Sequence, residues 1–271
     1  MDSKKALMKQ MKLFFAFTLS LLFTFFHSEL TGAADETNQT TVVYKEKNQE
    51  FEGIFFASKQ NNAPGIVLIH NWMGVTEESE KQAKRFQALG YNVFVADIYG
   101  KGIRPKDSKE AGGLAGKYKT DRNLLRERVN LAITELKKIK GVNLKKIAVL
   151  GYCFGGTAAL EVARSGADIQ AVISFHGGLD SPDPTLGKNI KARILALHGA
   201  DDPFVPVKDI GAFESEMKTH KVSYELVSFP GAVHSFTDVG AGSDNSKGAA
   251  YNSDADQKSF ERAKNFLKTT L

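Results

Sequence analysis

Cys153 is the one cysteine of the 271-residue chain, and it stands in the run Gly151-Tyr152-Cys153-Phe154-Gly155-Gly156. Lys146 to Leu150 before it reads as a buried strand and Thr157 to Ala163 after it as a helix, so the cysteine is expected on the sharp turn between them. Glycines two residues to either side suit such a turn, where a Cβ would collide with the neighbouring strand or helix. The sulfur would then stand above a sheet at a helix N-terminus, which favours a thiolate. A free cysteine can equally be a small core hydrophobe, but the glycine spacing and the strand-then-helix setting are what a nucleophile requires. A phosphate-binding loop would continue with Lys and Ser/Thr, whereas Thr157-Ala158-Ala159 follows here.

Two further polar segments follow apolar runs of strand length. His198-Gly199-Ala200-Asp201-Asp202-Pro203-Phe204-Val205-Pro206 comes after Ile194 to Leu197, and Pro230-Gly231-Ala232-Val233-His234-Ser235-Phe236 comes after Tyr224 to Phe229. Nucleophile, then Asp, then His, each at a strand end, is the order of an α/β-hydrolase triad. His234 would exchange protons with the thiol and the leaving group, and an Asp would fix its tautomer. The adjacent Asp201 and Asp202 both stand in the place for that role, the other being free to hydrogen-bond the loop. An oxyanion hole would use the backbone N–H of Phe154 and one from His70-Asn71-Trp72-Met73-Gly74, with Trp72 the natural donor and its indole an alternative pocket wall. His70 and His176 read as pocket or structural residues, since no spacing suggests a closed metal site, and no cofactor is implied.

These residues must be carried by a regular scaffold. Apolar runs at Gly65 to Ile69, Asn92 to Ala96, Ile147 to Leu150, Ala171 to Phe175, Ile194 to Leu197 and Tyr224 to Phe229 alternate with helical patterns at Glu77 to Leu89, Asp121 to Ile139, Pro206 to Thr219 and Asp254 to Leu271. Such alternation predicts an α/β fold, a mainly parallel sheet with helices on both faces, and active sites of such sheets lie beyond the carboxyl ends of the strands. Val42 to Lys45 and Phe51 to Phe56 are expected as an antiparallel pair at the start. The segment Val239 to Asn252, rich in Gly, Ser, Ala and Asp, reads as a surface loop beside the site and a candidate lid.

Residues 1–34 read as an export signal: Lys4, Lys5, Lys9 and Lys12 form a basic start, Leu13 to Phe26 an apolar stretch, and Thr31-Gly32-Ala33-Ala34 a small-residue cleavage region. The alternative is an uncleaved anchor, against which the apolar run falls short of the roughly 20 residues that span a bilayer. Four Lys against Asp2 and Glu29 place +2 of the formal +5 charge in this segment, leaving +3 on the rest. That excess is too small and dispersed to argue for nucleic acid. The chain is thus expected to be exported, periplasmic or secreted, with residues 35–271 forming one domain held by its core without a disulfide, with no stable membrane partner once the signal is removed. The sequence leaves the oligomeric state unspecified.

The three motifs around Cys153, Asp202 and His234, together with Ala96-Asp97-Ile98-Tyr99-Gly100 and Ser174-Phe175-His176-Gly177-Gly178, resemble the dienelactone hydrolase family from about Gly65 to the C-terminus. The resemblance implies the α/β-hydrolase fold, Cys153 as nucleophile, Asp202 rather than Asp201 as acid, and His234 as base. It also places His176 and Phe236 in a substrate pocket and Tyr118 where a pocket tyrosine stands. Two departures accompany it. Asn71 occupies the place of a glutamate that pairs with the resting cysteine, and Leu114 and Asp238 occupy those of carboxylate-binding arginines, so an acidic Asp238 would repel dienelactone. The expected activity is a cofactor-independent cysteine hydrolase of small esters or lactones. The alternative is a non-catalytic or weakly active small-molecule binding protein on the same fold, which Asn71 favours; a thiol redox role is disfavoured because the chain has no resolving cysteine.

Overall fold

The computed structural model describes residues 39–271; the expected export signal lies outside them. Eight strands form one sheet in the order β1-β2-β4-β3-β5-β6-β7-β8. β1 (Gln39–Glu46) and β2 (Gln49–Phe56) make an antiparallel hairpin, and β2 meets β4 (Asn92–Ala96) antiparallel. From β4 onward the sheet is parallel, through β3 (Ala63–Ile69), β5 (Val142–Tyr152), β6 (Ala171–Phe175), β7 (Arg193–Gly199) and β8 (Tyr224–Phe229).

Side chains alternate across each strand, and both faces are covered. Val67, Ile69, Phe94, Val149, Val172 and Ile194 point into one core, shared with α2 (Ser108–Thr120), α3 (Arg122–Lys138), α4 (Phe154–Arg164) and α5 (Val207–Thr219). Ile66, Leu68, Val93, Leu150, Ile173 and Leu195 point into the other, shared with α1 (Glu77–Ala88) and α6 (Ser253–Thr270). Burial on both faces is why these strands read as continuous apolar runs rather than as alternating ones.

The strand order fixes where a site can form. The chain leaves β3 through α1 on one face and β5 through α4 on the other. The carboxyl ends of β3 and β5, adjacent with Ile69 opposite Gly151, therefore flank a topological switch point, where a crevice opens because consecutive connections diverge.

Two elements differ from the sequence reading. β5 begins at Val142 instead of Ile147, because the ladder with β3 slips between Pro64 and Gly65 and the added residues Asn143 to Lys146 are unburied and, apart from Leu144, polar. α2 was not expected, since Gly112, Gly113 and Gly116 weaken its pattern at about 1 kcal/mol each. It forms because the Asp107 side chain accepts from the N–H groups of Lys109 and Glu110, and because Ala111, Ala115 and Tyr118 bury one face at helical spacing.

Candidate active site

The turn at Cys153 has φ +55° and ψ −116°, in the left-handed half of backbone space that non-glycine residues rarely occupy. It is held by the Cys153 N–H donating to the Phe175 carbonyl at 3.0 Å and by the Cys153 carbonyl accepting from Gly156 N–H at 3.0 Å. The flanking glycines are steric necessities: a Cβ on Gly151 would enter the Gly155 backbone, and one on Gly155 would enter the carbonyls of Ile69 and His70. β5, β3 and α4 thus close on one another to within backbone contact, and the sulfur is left half-buried at the α4 N-terminus.

His234, beyond β8, lies between Cys153 and Asp202. Its Nε2 is 3.0 Å from Cys153 Sγ, and its Nδ1–H donates to Asp202 Oδ2 at 2.8 Å. The other oxygen of Asp202 accepts from Phe204 N–H at 2.8 Å, which fixes the carboxylate in a fully buried position. Asp201 points away: it is exposed and its Oδ2 accepts from Gly231 N–H at 3.1 Å, stapling the loop after β7 to the loop after β8. Phe204 stands edge-on to the His234 ring at 5.4 Å between centroids.

Burial opposes ionisation of both partners, and the pair overcomes it. Burial raises the Cys153 thiol, but the charge of His234 and its hydrogen bond outweigh it, with smaller help from Lys119 and the Phe154 N–H, so the thiol lies below its ordinary range. Burial lowers His234, but the Cys153 charge and the hydrogen bonds to Asp202 and Cys153 raise it to about 10. The resting state favoured by this arrangement is a thiolate–imidazolium pair.

A cleft opens in front of Cys153 and includes Asn71, Trp72, Tyr152 and His176 in its lining. Asn71 is turned to local structure, its Oδ1 accepting from Met73 N–H at 2.9 Å. The Tyr99 hydroxyl donates to the Trp72 carbonyl at 3.0 Å and anchors that residue beside the cavity. His70 lines the wall as a neutral ring: its Nδ1–H donates to the Asn71 carbonyl at 2.5 Å, its Nε2 accepts from Ile98 N–H at 3.3 Å, and burial lowers it to about 4.

Two residues expected in the pocket lie behind it. Tyr118 is buried in the core, stacked on Tyr99 at 5.6 Å, because α2 carries it inward on the same face as Ala111 and Ala115. Phe236 is fully buried, packed edge-on to His176 at 5.0 Å and against Phe229. Phe236 supports His176 of the cavity, and Tyr118 supports Tyr99, which anchors Trp72; neither lines the cavity. Leu114 is likewise packed against the core. Asp238 does line the cavity, as does Glu78, which the sequence left unremarked. Glu78 is one of three acids in the first turn of α1, and nothing in their spacing tells it from Glu77 or Glu80.

The segment Val239 to Asn252 is less free than a lid. His234 N–H donates to the Gly248 carbonyl at 3.1 Å, Ala250 N–H donates to the His234 carbonyl at 3.0 Å, and Asn252 N–H donates to the Phe236 carbonyl at 3.0 Å. The loop clamps the base in place.

Comparisons with known proteins identify the family of the chain. The profile of the dienelactone hydrolase family matches residues 51–271. An uncharacterized protein of Caenorhabditis elegans is 34% identical over 155 residues, 55% of this chain and 96% of its own. A protein of Bradyrhizobium sp named as a probable 2-oxo-3-(5-oxofuran-2-ylidene)propanoate lactonase is 28% identical over 183 residues, 64% of this chain and 73% of its own. Among solved structures, a dienelactone hydrolase-like promiscuous phosphotriesterase from metagenomic libraries superposes with a TM-score of 0.82 at 31% identity, over 86% of this chain and 98% of that one. With its α/β-hydrolase fold and a family match spanning nearly all the described residues, the chain belongs to the dienelactone hydrolase family, enzymes that hydrolyse ester bonds.

Proposed function

We propose that the chain hydrolyses small esters or lactones by covalent catalysis, with Cys153 as nucleophile, His234 as acid and base, and Asp202 as the group that orients it. The reading is carried by one observation: His234 stands at hydrogen-bond distance from both the Cys153 sulfur and the Asp202 carboxylate, and the sulfur lines an open cleft. In the first half-reaction the thiolate attacks the carbonyl carbon, and the N–H groups of Phe154 and Trp72 hold the oxyanion. His234 then gives its proton to the departing alkoxide, leaving a thioester. In the second half-reaction His234 takes a proton from water, the resulting hydroxide attacks the thioester, and collapse releases the acid and restores the thiolate–imidazolium pair.

The names of the relatives suggest lactones and phosphotriesters beside simple esters as compounds to try. A panel of p-nitrophenyl esters, lactones, thioesters and a phosphotriester should show at least one substrate whose turnover is abolished by Cys153→Ala, with the circular dichroism spectrum unaltered, and cut by about 100-fold or more by His234→Ala. Wild-type turnover by Cys153→Ala would overturn the assignment. A binding protein on the same fold, the reading that Asn71 favours, would turn over nothing in the panel while its ligand still shielded Cys153 from alkylation. We also propose that residues 1–34 direct export to the periplasm or medium. Exported protein beginning just after Ala33 or Ala34 is expected on N-terminal sequencing, and an intact N-terminus on a membrane fraction would overturn it.

A further inference from the structure

The cavity in front of Cys153 carries an unbalanced charge. Glu78 and Asp238 both line it, and no lysine or arginine does among the described residues. Neither carboxylate is loosely placed. Gln82 Nε2 donates to Glu78 Oε1 at 2.8 Å, while Gln82 Oε1 accepts from the Tyr152 hydroxyl at 3.0 Å and from Arg85 at 3.1 Å. Arg85 is itself paired with Asp256 at 2.8 Å, so its charge is already matched. Asp238 Oδ1 accepts from Gly240 N–H at 2.8 Å. Each acid is thus positioned through one oxygen, leaving the second for a ligand.

The remaining groups do not restore the balance. The Cys153 and His234 charges cancel as a pair, with the Asp202 carboxylate behind them. His176 lines the same cavity at 2% exposure, with Nε2 bonded to Thr237 Oγ1 at 2.9 Å and no partner for Nδ1 among the described residues. Burial and the neighbouring His234 charge keep it neutral, so it offers an open polar atom and no positive charge. Lys119, which Cys153 senses, is exposed and outside the lining, and Lys81 only partly offsets the burial, Asp238 and Asp256 that together raise Glu78. A cation entering the cavity relieves this potential, and an anion adds to it.

We propose that Glu78 and Asp238 are specificity-determining residues that select esters or lactones bearing a cationic group, an ammonium above all, and reject those bearing a carboxylate. The proposal rests on the hydrolase reading for its reaction, but the charge preference belongs to the cavity and can be read without turnover. Because Cys153 is the chain's one cysteine, thiol modification reports on this cavity alone. Methanethiosulfonates with a trimethylammonium, a methyl or a sulfonate tail supply a cationic, a neutral and an anionic probe of similar chemistry.

After correction for their rates with a free thiol, the trimethylammonium reagent should modify Cys153 about tenfold or more faster than the sulfonate. Glu78→Gln and Asp238→Asn should each bring that ratio several-fold toward unity, read against the neutral reagent. Phenyl esters with matched trimethylammonio, tert-butyl and carboxylate acyl chains should follow the same order in kcat/KM. A sulfonate reagent that reacts as fast as the cation, or variants that change all three rates in the same proportion, would overturn the proposal. If the reagent ratio holds and no ester turns over, the hydrolase reading fails and the charge preference stands; turnover of the neutral ester with no charge order fails the preference alone.

Discussion

At the end of β7 two neighbouring aspartates face opposite ways, and the difference is testable. Asp202 is buried with one oxygen on His234, and Asp201 is exposed with one oxygen on Gly231. Asp202→Asn should cut kcat/KM by about 100-fold or more, because an amide cannot stabilise the imidazolium, and Asp201→Asn by less than about tenfold; the reverse ranking would place the orienting carboxylate one residue earlier. The coupling of sulfur and ring gives a second expectation. The thiolate persists below the usual thiol range because the imidazolium beside it favours the charged form. Iodoacetamide labelling of the wild type should therefore stay fast as pH falls below about 8.5, whereas His234→Ala should move the midpoint up toward that ordinary value. A pH profile of labelling that His234→Ala leaves in place would show the two groups to be uncoupled. The order of Cys153, Asp202 and His234 was legible because each follows a strand in a short motif whose glycines and prolines mark the turn. Glu78 was not, since its place in the cavity depends on how α1 leans over the end of β3, and helix packing is not written in the spacing of its acids.

At the scale of elements, the parallel strands were the most readable features, with β4, β6 and the partly exposed edge strand β8 spanning the expected runs. α2 hid behind its glycines. None of Gly112, Gly113 and Gly116 meets another atom where a Cβ would stand, so no close approach requires them. Gly113→Ala should then stabilise the protein by about 0.5–1 kcal/mol, through higher helix propensity and a less flexible unfolded chain. Chemical denaturation would measure it; a loss of stability would mean that α2 makes a contact on its open side. The burial of Tyr118 was hidden for the same reason: without the helix, there was no means of knowing that it shares an inward face with Ala111 and Ala115.

For the molecule as a whole, one buried charge network ties together the helices on one face of the sheet beneath the site. Arg164, almost wholly buried on α4, makes two hydrogen bonds to Glu216 of α5 at 2.9 and 2.7 Å and one to Glu161 at 2.9 Å, and Glu161 in turn receives Arg126 of α3. Removing one carboxylate strands a charge away from water. Glu216→Ala should cost about 3–5 kcal/mol, seen as a lower denaturation midpoint, while the distances around Cys153 keep kcat near wild type in the molecules that remain folded. A midpoint within about 1 kcal/mol of wild type would show that water reaches Arg164. The clamp on His234 has a consequence of another kind, in time rather than in energy. Cys153 and Asp202 are synthesised well before Gly248, Ala250 and Asn252, whose backbone groups hold the histidine loop. A growing chain that has not yet formed these bonds lacks what holds the imidazolium beside the sulfur, and its thiol is expected to react as an ordinary, sluggish one. Full reactivity is then expected only once residues 248–252 have docked, so a nucleophile that could attack bystanders stays disarmed until the loop around its base is in place.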